Sequence, residues 1–299
     1  MLAVAMCSCG GRDTLSGSSV IFIGNSMLYY GGMVQQGEQC CADSGMMHRT
    51  FAAGGYDVRV VDCTYGGHHL KDFSADGCRW EDKHGPAGGP QKPSSGCAGV
   101  GTDLLGGLDL SSFDYVFISE AGNNYESFYD DATAVFERFR SVNPDVRCFY
   151  VNHIYSVYKK HDNVLSSLRR LHDEQGVTII NCGQLAYDIY TGAVKVPGGE
   201  LAYSDRYTFT NHTEKDTFHP NPLMGWIMTQ MCWCALSGRA PMDGSIAREC
   251  MFAGGSVPYG EYYGRYYTFE AATSFISVMD SRAEMKGIAA LIPEYINRY

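Results

Sequence analysis

The sequence has no apolar run approaching the ~20 residues that a helix needs to cross a bilayer, so no helical membrane span is expected. It is short of positive charge. Lysine and arginine number 23 against 33 acidic residues, a net charge of −10. Such a chain offers little counter-charge to a phosphate backbone, which argues against nucleic acid as a partner. It has no internal repeat. Its twelve cysteines form no paired C-x-x-C knuckles, so a zinc ribbon is not indicated. Cysteine use leaves the redox compartment open.

What is present fits a globular α/β protein. The 299 residues, 45% hydrophobic and 19% charged, suit one large domain, or one domain with an appendage. Thirty-five glycines and 13% aromatic residues point to long ordered loops with tyrosine-rich surfaces. Residues 1–18 read as leader and linker. Met1–Gly11 has an apolar run followed by cysteine, like the end of a secretory or lipoprotein signal, with Cys7 or Cys9 as the lipid site. A plain leader is the equal alternative, so the location is either secreted or lipid-anchored, or else cytoplasmic. Residues 19–238 read as the main domain, with an insert at about 71–107. Residues 239–299 read as a mostly helical extension packed on the core.

Val20-Ile-Phe-Ile23 is a short β-branched and aromatic run entering Gly24-Asn25-Ser26. This pattern suits a strand buried on both faces, broken by a turn that leaves Ser26 at the strand's carboxyl end. Further strands are predicted at Tyr56–Thr64, Asp114–Ser119, Val146–His153 and Val177–Asn181. Helices are predicted over Met33–Ser44 (with Cys40-Cys41 in its interior), Phe128–Val142, Lys160–Gln175, Gly183–Tyr190 and Leu223–Leu236. Two more follow at Tyr267–Met279 and Ser281–Ile296, the second opened by a capping box, Ser281-x-x-Glu284. Cys148 and Cys182 read as buried small hydrophobes, and Cys78 with Cys97 as a candidate disulfide. Alternating strands and helices call for a three-layer α/β/α sandwich around a mostly parallel, five-stranded sheet. Right-handed crossovers then bring Ser26, Gly66-Gly67 and Gly122-Asn123-Asn124 to one sheet edge.

A serine at that edge is a nucleophile only if a base reaches it. Asp216-Thr-Phe-His219 supplies one. A carboxylate three residues before a histidine, on a proline-stiffened turn, can hold the imidazole Nδ1–H and leave Nε2 to take the serine proton. The Ser26 N–H, a glycine N–H and an asparagine amide can serve the oxyanion. His68, His69 and His84 with Asp72 invite a metal, but adjacent histidines on an extended segment diverge, so no metal is expected. Tyr29, Tyr30, Tyr65 and Tyr125 are candidate aromatic walls. His153, at the end of the fourth strand, reads as a core or rim histidine.

The ordered set Gly24-Asn25-Ser26, Gly66-Gly67, Gly122-Asn123-Asn124 and Asp216-x-x-His219-Pro-Asn resembles the SGNH (GDSL-like) hydrolases of bacteria, over about Ser19–Leu236. That resemblance implies a flavodoxin-like sheet and hydrolysis of carboxylic esters, often acetyl groups on carbohydrates, without a cofactor. It implies Ser26, Asp216 and His219 as catalytic residues, and Ser26, Gly67 (or Gly66) and Asn124 (or Asn123) as oxyanion donors. Asn25, Gly66, His68, Glu120 and Asn123 are candidate substrate contacts. The third block departs from the family pattern by ending in Tyr125. The expected partner is a small-molecule or glycan ester. The alternatives are a catalytically silent glycan-binding protein of the same fold and a metal-dependent hydrolase.

Overall fold

The computed structural model describes residues 15–29, 31–34, 40–41, 45–79, 101–120, 128–153, 162–203, 208–210, 219–244 and 269–299. The strands are β1 (Ser19–Gly24), β2 (Cys40–Cys41), β3 (Arg59–Thr64), β4 (Tyr115–Ile118), β5 (Arg147–Val151) and β6 (Thr178–Ile180). They lie in the order β2-β3-β1-β4-β5-β6. Five of them run parallel, and β2 pairs antiparallel with β3 at the edge. The central sheet is therefore the expected parallel five-stranded one with a short sixth strand added. Among the parallel strands β1 is second from one edge. The chain leaves it first toward β3 and then returns past it to β4. That reversal opens a crevice beyond the β1 carboxyl end, the usual ligand position in such sheets.

The strands are apolar on both faces because both are covered. Along β1, Val20 and Phe22 enter one core while Ile21 and Ile23 enter the other. β4 and β5 repeat the alternation. On the first face Phe22, Phe117 and Phe149 stack across three strands, with ring centroids 4.9 and 4.3 Å apart. That face is covered by helices α2 (Met46–Ala53), α5 (Cys182–Thr191) and α6 (Pro222–Ser237), followed by α7 (Phe269–Asp280) and α8 (Arg282–Leu291). The other face carries α3 (Phe128–Arg140) and α4 (Asp162–Gln175). α6 is apolar around its whole circumference and almost wholly buried, as a helix without a polar face must be.

Two local expectations are corrected. Cys40-Cys41 is not helix interior: its backbone continues the sheet beside Asp62 and Val61. The helix expected at Met33–Ser44 instead starts at Met46, where Gly45 precedes it rather than ending one. The ends of the expected insert are ordered: a 3₁₀ turn spans Leu70–Phe73, and Leu104 and Leu105 join the second core. Cys78 is a buried thiol; Cys97 lies outside the described residues. Cys148 and Cys182 are buried, the latter donating to the Asn152 carbonyl (3.0 Å).

The C-terminal helices share the core of the first face, which includes Phe275, Met285, Ile288 and Leu291. Ser281 caps α8 by accepting from the Glu284 N–H (3.3 Å). Glu284 does not return the bond as a capping box would. Its buried carboxylate accepts the N–H groups of Glu200 and Leu201 (2.6 and 2.9 Å) and the Tyr203 hydroxyl. This pins the loop leading toward the histidine turn.

Candidate active site

Ser26 follows β1 directly and opens the single-turn helix α1 (Ser26–Tyr29). Gly24 makes the sharp exit possible. A Cβ there would stand 2.7 Å from the Ser119 carbonyl oxygen of β4's end, closer than real atoms pack. Asn25 is buried and acts as a strut. Its Oδ1 accepts the Met27 N–H (3.0 Å) and its Nδ2 donates to the His68 carbonyl (2.9 Å). The serine turn is thus tied to the segment that follows β3.

His219 reaches the same place from the far end of the chain. Asn221 caps α6 by accepting the Met224 N–H (3.0 Å), and its amide donates to the Thr208 carbonyl (2.7 Å). Pro222 occupies the first helical position, where its missing N–H costs nothing. The sequence signal for this cap is the Asn221-Pro222 pair itself. The first turn of α6 then docks on the chain just beyond α1. A Cβ on Gly31 would fall 2.7 Å from the Gly225 Cα, so two glycines let the backbones touch. The outcome is a hydrogen bond of 2.7 Å between His219 Nε2 and Ser26 Oγ, 193 residues apart in sequence. Both residues are half-buried.

The remaining candidates fall into place around this pair. Gly66 is half-buried, with the Tyr29 hydroxyl close above it. Gly67 is exposed and takes a left-handed φ of +81°. His69 and Glu120 pair at 2.8 Å, and the second Glu120 oxygen accepts the Leu70 N–H (3.0 Å). The hydrogen bond that His69 donates to Glu120 raises the His69 pKa, against the opposing effect of burial. Glu120, Asn25 and His68 are all buried. Asn25 and Glu120 tie the serine turn and the segment after β3 to their neighbours. The two adjacent histidines do diverge: His69 is partly exposed, while His68 lies inside against Asp72 (Nδ1–Oδ2 3.3 Å). Burial opposes ionisation of Asp72, but hydrogen bonds from His68 and the His69 and Arg79 N–H groups outweigh it and hold the pKa at about 2. Tyr65 is buried. Asp216, Asn123, Asn124, Tyr30, Tyr125 and His84 lie outside the described residues.

The edge carries a second serine–histidine pair that the sequence did not signal as such. The Ser119 hydroxyl donates to the Val151 carbonyl (3.0 Å), so its 2.9 Å contact with His153 Nδ1 is a bond accepted from the imidazole N–H. Both residues are buried. Desolvation, followed by the nearby His219, lowers the His153 pKa to about 3.

No sequence-family model matches the chain, and no curated protein sequence matches it. Solved structures do align with it. A Parabacteroides merdae protein designated a GDSL-like lipase is 14% identical, with a TM-score of 0.49, covering 75% of this chain and 96% of that one. An acetylxylan esterase from Geobacillus stearothermophilus is 13% identical, with a TM-score of 0.46 over 76% of this chain and 96% of that one. A phospholipase A1 from Streptomyces albidoflavus is 13% identical, with a TM-score of 0.39 over 70% and 94%. The likeness to these structures is one of chain path alone.

Proposed function

We propose that the protein is a serine hydrolase of carboxylic esters. The supporting observation is the 2.7 Å contact between Ser26 Oγ and His219 Nε2 at the β1 carboxyl edge. In the tautomer with Nε2 unprotonated, the Ser26 hydroxyl donates to it. Attack of Oγ on an acyl carbon passes the proton to Nε2, and the imidazolium returns it to the departing alcohol. Water repeats the sequence to release the acid. The developing oxyanion is taken by the Ser26 N–H, one of the helix-start donors without an intrahelical partner, together with the Gly67 N–H and the Asn124 amide. Asp216 holds the imidazole. The preferred substrates are short acyl esters, with O-acetyl groups on carbohydrates first, as the motif resemblance implies.

The test is hydrolysis of p-nitrophenyl acetate and of acetylated xylo-oligosaccharides by the wild type and Ser26→Ala. Turnover that disappears in Ser26→Ala supports the proposal. Absence of turnover in the wild type, or its survival in Ser26→Ala, overturns it.

A further inference from the structure

The geometry points to a metal site at His68, Asp72 and Cys78, built for a divalent cation of the zinc class and separate from the Ser26–His219 pair. The spacing His-x₃-Asp-x₅-Cys is not a familiar sequence signature; the 3₁₀ turn at Leu70–Phe73 brings the three together. All three side chains are buried, and their ligand atoms lie within 4.8 Å of one another. His68 Nδ1 stands 3.3 Å from an Asp72 oxygen and 3.6 Å from the Cys78 sulfur. Zinc bonds of ~2.0–2.3 Å in a tetrahedron separate ligand atoms by about 3.3–3.8 Å. Both of these separations fall in that range, and the third, from Asp72 to Cys78, is no more than 4.8 Å.

The charges also suit burial. One thiolate and one carboxylate neutralise a divalent cation, so the loaded site carries no net charge into the interior. Imidazole, thiolate and carboxylate together favour zinc over calcium or magnesium. Loading releases the Cys78 thiol proton to solvent and places the imidazole proton on Nε2, leaving Nδ1 for the metal. Three protein ligands leave the fourth tetrahedral position open.

Two of the three ligands are held in place by their own hydrogen bonds. The Asp72 oxygens accept the Arg79 N–H (2.9 Å) and the His69 N–H (3.0 Å), the outer hydrogen bonds that metal-bound carboxylates need. The Cys78 backbone is fixed in both directions by Thr102 and Gly101 (2.8 Å each). Because the His68 carbonyl receives the Asn25 amide, an ion here would brace the Gly66–His69 segment from below.

The whole chain, kept reduced and stripped with chelator, is titrated with Co²⁺ and then Zn²⁺. The expected result is a single equivalent of Co²⁺ giving a thiolate-to-cobalt charge-transfer band. Zn²⁺ should displace it and raise the melting temperature. Cys78→Ser should lose the band and bind Zn²⁺ about 100-fold more weakly or worse, while Cys148→Ser, at a buried thiol elsewhere, should behave as wild type. Should Cys78→Ser not fold, Asp72→Asn and the wild-type spectrum decide. Ser26→Ala should bind the metal normally, which separates this site from the proposed hydrolase chemistry. A folded wild type without the thiolate band, or a band that persists in Cys78→Ser, overturns the proposal.

Discussion

Two serine–histidine pairs stand at the same edge of one sheet, with nearly equal separations of 2.7 and 2.9 Å. They differ in proton direction and access. Ser119 spends its proton on the Val151 carbonyl, so His153 can only donate to it. Ser119 is also fully buried. In the tautomer proposed for catalysis, His219 Nε2 accepts the proton of Ser26, and both groups are half-exposed. A short serine–histidine distance therefore does not by itself define a nucleophile. The proton must point at the imidazole, and an acyl group must be able to reach the oxygen.

The comparison can be broken by exchanging the consequences of the two serines. His219→Ala or Ser26→Ala should lower kcat for an acetyl ester by roughly four orders of magnitude or more. Ser119→Ala should lower it tenfold at most. Equal losses from Ser119→Ala would erase the distinction. The second largest effect concerns what holds Ser26 and His219 together. Gly225→Ala drives a methyl group into the Gly31 backbone and should cost about 1–3 kcal/mol, read as a lower denaturation midpoint with reduced kcat. Next, Asn25→Ala removes the strut between the serine turn and His68. It should cost about 1 kcal/mol and lower kcat more than it raises KM.

The last effect depends on pH and belongs to the buried pair. The folded-state pKa of His153, about 3, lies below its unfolded value of about 6.5. Between those limits the unfolded chain binds a proton that the folded chain refuses. The neutral histidine's contribution is complete above pH 6.5 and is lost as pH falls toward 3, at up to about 1.4 kcal/mol per pH unit. A His153→Gln variant should show a shallower loss over that window, measured by urea denaturation at several pH values. Identical slopes would mean that His153 already carries its proton.

The architecture was legible because its strands are apolar on both faces and separated by turn signals, and this pattern survives any detail of packing. The cysteine pair at 40–41 was misread because a two-residue edge strand has no periodicity of its own; only pairing with β3 defines it. Ser26 and His219 were legible through Gly-Asn-Ser and Asp-x-x-His-Pro-Asn. The pairing of His153 with Ser119 was not, since it depends on strand neighbours 34 residues apart. His68 and His69 were seen to diverge, but not to which partners. Cys78 reaches His68 only through the 3₁₀ turn between them, which follows no hydrophobic period.

The most direct test of the central claim is covalent. Wild-type protein treated with a fluorophosphonate and digested should carry the label on the peptide containing Ser26, and His219→Ala should carry almost none. Label on Ser119, or equal labelling of wild type and His219→Ala, would contradict the assignment of Ser26 as a nucleophile activated by His219.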